Sequence, residues 1–439
     1  MDSIRSDVDQ ADGGKRPLGL LDVTCLGINA VVGSSIFLFP GRLFGLLGPA
    51  AIVAFGLTGL LLISVGLCFA EAASLFDRAG GPYAYAREAF GDLAGFGIGW
   101  MCWITVVLGW AAVSNAIAVY LGHFDPALAA PTMVKATAAG VIVLMGALNY
   151  RGVKWGAWAS NFFTAAKLLP LAVFVLAALP QAEAANFTPF APQGWAPLGP
   201  ACFLAYFAFQ GFETVPVPAG EVHEPRRTVP LAVVASILLA AALYMLVQAA
   251  AVGVFPGLAG SERPLADAAA AALGPWGAGL VVLGAVFSTT GYNAGSALTC
   301  PRYLVALAAD GHLPAPLAAA HPRFGTPHRA VALTTGVTLL AAMALDFNKL
   351  VDFSNVVVCV QYIATCAAVL VFRRKPLSSQ GFRLPFGPLF PIVGILSTCW
   401  LGLQGGLAEV GWSFAMLLGG FALRAVWRSR LMGGKQHRL

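Results

Sequence analysis

Apolar residues run through this chain in long blocks, with polar residues gathered in short stretches between them. Twelve blocks are long enough to cross a bilayer as a helix. They lie near 20–46, 49–75, 94–121, 132–149, 155–179, 198–220, 229–254, 276–308, 330–346, 351–372, 387–405 and 408–427. None shows the period-two alternation of an outer-membrane barrel strand. The pattern predicts an all-α polytopic membrane protein with 12 transmembrane helices. The stretches 77–93, 180–197, 255–275, 309–329 and 373–386 read as its longer loops, and no linker or low-complexity segment divides the chain.

Composition agrees: of 439 residues 58% are hydrophobic and 10% charged, too few polar groups to clothe a soluble surface of this size. Charge adds orientation. With the amino terminus in the cytoplasm, 21 of the 26 Lys and Arg fall inside, four (Arg42, Lys135, Arg263, Lys349) fall outside, and Lys167 lies within a span. The positive-inside rule then places both tails, 1–17 and 428–439, in the cytoplasm of a plasma-membrane protein. Residues 1–17 are polar and of mixed charge, unlike a cleavable signal peptide. The net charge of +6 therefore reflects topology, and nucleic-acid binding is not implied. The eight Cys form no CxxC pair and read as small packing residues, while the six His lie in loops or the tail. No metal or other cofactor is expected.

Two blocks share an interruption. Gly33 precedes Pro40 by seven residues in the first, and Gly211 precedes Pro218 by seven in the sixth. A five-span offset makes the two cross in opposite directions, as in transporters built from inverted repeats of discontinuous helices. Gly and Ser favour non-helical backbone, and a helix broken in the membrane exposes N–H and C=O groups. Those groups are tolerable only where they face protein, water or a ligand. A half-helix N-terminus presents donors and a positive dipole end to a carboxylate, and carbonyls of the partner halves suit an ammonium. Together they make a receptor for an α-amino acid. The competing reading is close helix packing through small residues.

The segments GSSIFLFPG (33–41), RAGGPYAYAREAFG (78–91), YFAFQGFETVPVPAGEVHEPRRTVPLA (206–232) and ADGHLPAPLAAAHPRFGTPHRA (309–330) resemble the amino acid–polyamine–organocation (APC) superfamily of permeases. The resemblance implies the LeuT-type fold and alternating access. It divides the chain into a first five-helix repeat (18–180), an inverted second repeat (197–372) and two peripheral helices (387–427). Carried over, Gly33 allows the unwinding, Ser34 and Ser35 meet the substrate carboxylate, and Ile36 follows them in the substrate site. Carbonyls of Val31, Phe207 and Gln210 hold the ammonium beside Gly211, with Phe207 the aromatic gate and Glu213 the acidic residue after the break. The family commonly has Gly-Ser-Gly, so Ser35 departs from its pattern.

Lys167 sits about 20 Å from either edge of its span at 1.5 Å per residue, too deep to snorkel. A functional role is the default for such a residue. The resemblance implies that its amine fills the region a sodium ion fills in other members, either as a fixed cation or as a proton-exchanging group. Asn293 is a further gate candidate. Val106 and Gly109 on the third span bring no carboxylate to a cationic substrate, which favours a neutral amino acid. The reading is a sodium-independent carrier, by proton symport or amino acid exchange, monomeric or homodimeric in the bilayer. A transporter-like sensor, or a permease for a polyamine or cationic amino acid, is the alternative. An intramembrane enzyme would need convergent catalytic groups that this interior does not supply.

Overall fold

The structure is a computed structural model that describes residues 18–76, 81–152, 157–216, 222–374, 382–384 and 386–436. Pro218, and with it one half of the proline–glycine echo, lies outside the described residues. Among the described residues there is no strand, only an isolated bridge between Leu18 and Val222.

The first apolar block forms two helices, α1 (Leu20–Val31) and α2 (Ser35–Leu47), with an extended Val32 between them. Then follow α3 (Ala51–Ser74), α4 (Gly81–Phe90), α5 (Asp92–Leu121), α6 (Pro131–Tyr150) and α7 (Ala157–Ala178). The sixth block gives α8 (Leu198–Phe209) and, past Gly211, one 3₁₀ turn over Phe212–Thr214. Next come α9 (Pro225–Val254), α10 (Pro264–Leu273), α11 (Pro275–Ala309), α12 (His328–Ala344) and α13 (Phe347–Phe372). The last two are α14 (Leu389–Leu403) and α15 (Leu407–Gln436). Seven helices among the described residues are long and apolar enough to cross a membrane. The half-helix α1 is among the shorter apolar ones, as are α10, α12 and α14.

Two helices arise inside stretches that read as loops. Helix α4 buries Tyr83 and Tyr85. Helix α10 begins on Pro264 and runs through an alanine tract, which has the highest helix propensity and the least side-chain entropy to lose.

Glycine sets how closely the central helices approach. A Cβ on Gly66 of α3 would sit 2.3 Å from Ile237 Cδ1 of α9, and one on Gly27 of α1 would sit 2.1 Å from Ser236 Oγ. With little hydrophobic force between helices in lipid, such close contact supplies the packing energy.

At one end of the bundle Arg87 pairs with Asp92 at 2.8 Å and with Asp310 at 2.7 Å, and Tyr83 also donates to Asp310. Leu18, at the start of the described chain, accepts from His223 N near the start of α9, at 2.9 Å. At the opposite end Arg42 donates to Asn348 at 2.8 Å, and Lys349 pairs with Glu409 at 3.2 Å.

Candidate functional site

The backbone between α1 and α2 is held by side chains from four other helices. Lys167 of α7, fully buried, donates to Asn29 O at 3.0 Å and to Val32 O at 2.6 Å. Ser288 of α11 donates to Val32 O and Gly33 O, both at 3.0 Å. Tyr120 of α5 donates to Ser34 O at 3.1 Å. Tyr244 of α9 donates to Val31 O at 3.2 Å and to Ala208 O at 2.8 Å, so one hydroxyl ties the two interrupted helices together. These donors satisfy the carbonyls that a helix end leaves orphaned.

The second interruption is built on Gly211, whose φ of +125° is closed to ordinary L residues. A Cβ there would lie 2.4 Å from Ala30 O. The two breaks therefore meet backbone to backbone. Glu213 Oε2 accepts from Gly211 N and from Tyr362 OH, each at 2.8 Å. Gln210 is held at both ends of its amide: it donates to Asn355 Oδ1 at 2.7 Å and accepts from Ser354 Oγ at 2.9 Å.

A cavity of about 90 Å³ lies beside this junction. Leu26, Asn29 and Ala30 of α1 form one wall; Gln210, Gly211, Glu213 and Thr214 form another. Thr105 and Val106 of α5 and Gly291, Tyr292, Gly295, Ser296 and Thr299 of α11 complete it. Gly295 on this wall is exposed, so the cavity reaches the surface there. Its walls lie in the half of the bundle that leads to Asp310. Toward the opposite end three aromatic rings converge. Phe39 is 6.1 Å from Phe207 and 6.2 Å from Phe347, and Phe207 is 6.5 Å from Phe347.

Of the residues singled out in the sequence, Val106, Gln210, Gly211 and Glu213 line the cavity. Val31, Ser34, Ser35 and Ile36 are buried at the break without lining it. Gly33 meets it through Tyr292, whose Cδ2 is 3.7 Å from the position of a Gly33 Cβ. The Ser34 hydroxyl, at the start of α2, has no hydrogen-bond partner among the described residues. Lys167 grips the break from behind, and Phe207 belongs to the aromatic cluster. Asn293 is occupied elsewhere, accepting from Ser114 Oγ at 2.6 Å and donating to Thr289 O at 2.7 Å.

Sequence reasoning missed Asn29, Tyr244, Ser288 and Tyr292. Asn29 carried a local signal, a lone amide in an apolar half-helix four residues before Gly33. The others sit far off in the chain, in segments whose apolar character hides them.

Residues 18–405 match the family model described as amino acid permease. The chain is 29% identical to the branched-chain amino acid permease BcaP of Bacillus subtilis, over 91% of this chain and 89% of that protein. It is 26% identical to the serine/threonine exchanger SteT of the same organism, over 88% and 90%. It is also 29% identical to human cationic amino acid transporter 4, over 84% of this chain and 62% of the human protein.

Proposed function

This chain belongs to the amino acid permease family of the APC superfamily, and on that footing we propose that it carries a small neutral amino acid across the plasma membrane by alternating access. The observation that carries this reading is the meeting of two interrupted helices at one cavity, with Gly211 against Ala30 O. The N-terminus of α2, with the free Ser34 hydroxyl and Ser35 beside it, is the receptor for the carboxylate. Phe207 closes the site on one side. The proposed frame is twelve spans in a LeuT-type 5+5 repeat with two peripheral helices, within the limits given by the sequence and with both tails cytoplasmic. In that orientation the cavity faces the cytoplasm, and Phe39, Phe207 and Phe347 close the outer path.

The lining supports a neutral substrate. Glu213 is the one carboxylate on it among the described residues, and its Oε2 already accepts two hydrogen bonds. Relatives named for branched-chain, hydroxylated and cationic amino acids show that the family scaffold accommodates several substrates. The membership points to a transporter and not to an enzyme. Energy coupling is by protons or by exchange, with Lys167 in place of sodium.

Counterflow in proteoliposomes with labelled alanine, serine, threonine, valine and arginine tests this reading. Flux of one or more neutral members is expected, with arginine excluded. Binding without flux would make the protein a sensor, and preferred arginine flux would overturn neutrality. In the same assay Phe207→Ala is expected to cut the initial rate about tenfold, because truncating a packed aromatic removes several kcal/mol of closing contacts. Wild-type rate and KM would dismiss Phe207 as the gate.

A further inference from the structure

We propose that the side-chain amide of Asn29 is a substrate ligand, its Oδ1 accepting a hydrogen bond from a donor on a small amino acid in the cavity. The proposal deepens the transport reading and rests on it. An amino acid entering the cavity brings N–H donors, and the polar groups near it are mostly committed. Around the break, Lys167, Ser288, Tyr120 and Tyr244 already donate to the carbonyls of Asn29 and of residues 31–34. On the lining, both ends of the Gln210 amide are engaged. The Thr105 and Thr299 hydroxyls donate to carbonyls one turn back, and Thr214 donates to Gly211 O.

Asn29 differs from these lining residues. Only 9% of the residue is exposed, and among the described residues its Oδ1 is buried with no hydrogen-bond partner. It lies 3.2 Å from the point a Cβ on Gly291 would occupy, and both residues line the cavity. Phe163 Cγ packs closer still to that point, at 2.9 Å, so a side chain at 291 would clash with the ring and crowd Oδ1, and the glycine keeps both in place. The terminal torsion of Asn is broad, so a small rotation turns Oδ1 to an arriving donor. A buried acceptor without a partner is unfavourable, and a substrate N–H or O–H relieves it.

The test is kinetic, on the full chain in proteoliposomes, with alanine and serine as probes. Asn29→Leu keeps the shape without the acceptor and is expected to raise KM about tenfold or more, with kcat changed less. Asn29→Asp keeps an acceptor and is expected to restore KM to within about threefold of wild type. A rise for both probes assigns the α-ammonium as donor, and a rise for serine alone assigns the hydroxyl. Unchanged KM for both probes in Asn29→Leu overturns the proposal. Equal loss in the Leu and Asp variants also overturns it, by showing that shape and not acceptance matters. If the wild type binds neither probe nor any other amino acid, the transport reading itself falls and this proposal with it.

Discussion

Lys167→Met is expected to reduce uptake to background and to lower the Tm of the purified protein by several degrees. The ammonium is fully buried, and it donates to Asn29 O and Val32 O where α1 ends. The carbonyl end of a helix carries partial negative charge, so a cation there is stabilised by the dipole as well as by its hydrogen bonds. Methionine fills much of the same volume but donates nothing. Asn29 O then loses its Lys167 bond, and Val32 O keeps only Ser288. Each buried acceptor left unpaired costs about 1–3 kcal/mol, a large fraction of typical net stability. Lys167→Arg is expected to fail too, because a planar guanidinium cannot occupy the compact position of an ammonium. The same geometry predicts that replacing sodium by choline leaves wild-type uptake unchanged. Sodium-dependent uptake, or a methionine variant with ordinary kinetics, would remove Lys167 from the role assigned to it.

What could be read from the chain alone was whatever its neighbours along the sequence decide. Apolar length marks the helices because burial in lipid needs no partner to be identified. The break at Gly33 was visible for the same reason: the weak helix formers Gly33, Ser34 and Ser35 stand together, and α1 ends just before them. Pro40 proved a poorer guide than Gly33, since α2 runs through it and Gln248 donates to its carbonyl at 3.2 Å. Non-local partners were out of reach. Tyr244 bonds Val31 across 213 positions and Ser288 bonds Val32 across 256, and nothing in an apolar stretch distinguishes a tyrosine that caps a broken helix from one that fills a core. Lys167 was legible because an isolated charge at mid-span must find partners, though not which ones.

Gly211→Ala is expected to abolish uptake, whereas Gly33→Ala retains it to within a few-fold. The two glycines look alike in the sequence, each at an interruption, but their backbones differ. At Gly211 the φ of +125° excludes a Cβ on conformational grounds, and the added methyl would lie 2.4 Å from Ala30 O and 2.9 Å from Val31 N. Those atoms belong to the other interrupted helix, so relief requires the two breaks to separate. Strain of this kind costs about 1–3 kcal/mol, overpacking adds a comparable amount, and the separation pulls on Tyr244, which holds Val31 O and Ala208 O together. At Gly33 the nearest atom to a new Cβ is Tyr292 Cδ2 at 3.7 Å, an ordinary contact. A methyl fits there; the longer side chain of Gly33→Leu presses on Tyr292 and is expected to block binding. Initial uptake rates and Tm for the three variants decide the matter. Wild-type uptake by Gly211→Ala would mean that the meeting of the two breaks is not where the substrate is handled, and complete loss in Gly33→Ala with an unchanged Tm would mean that a methyl at Gly33 itself blocks the substrate.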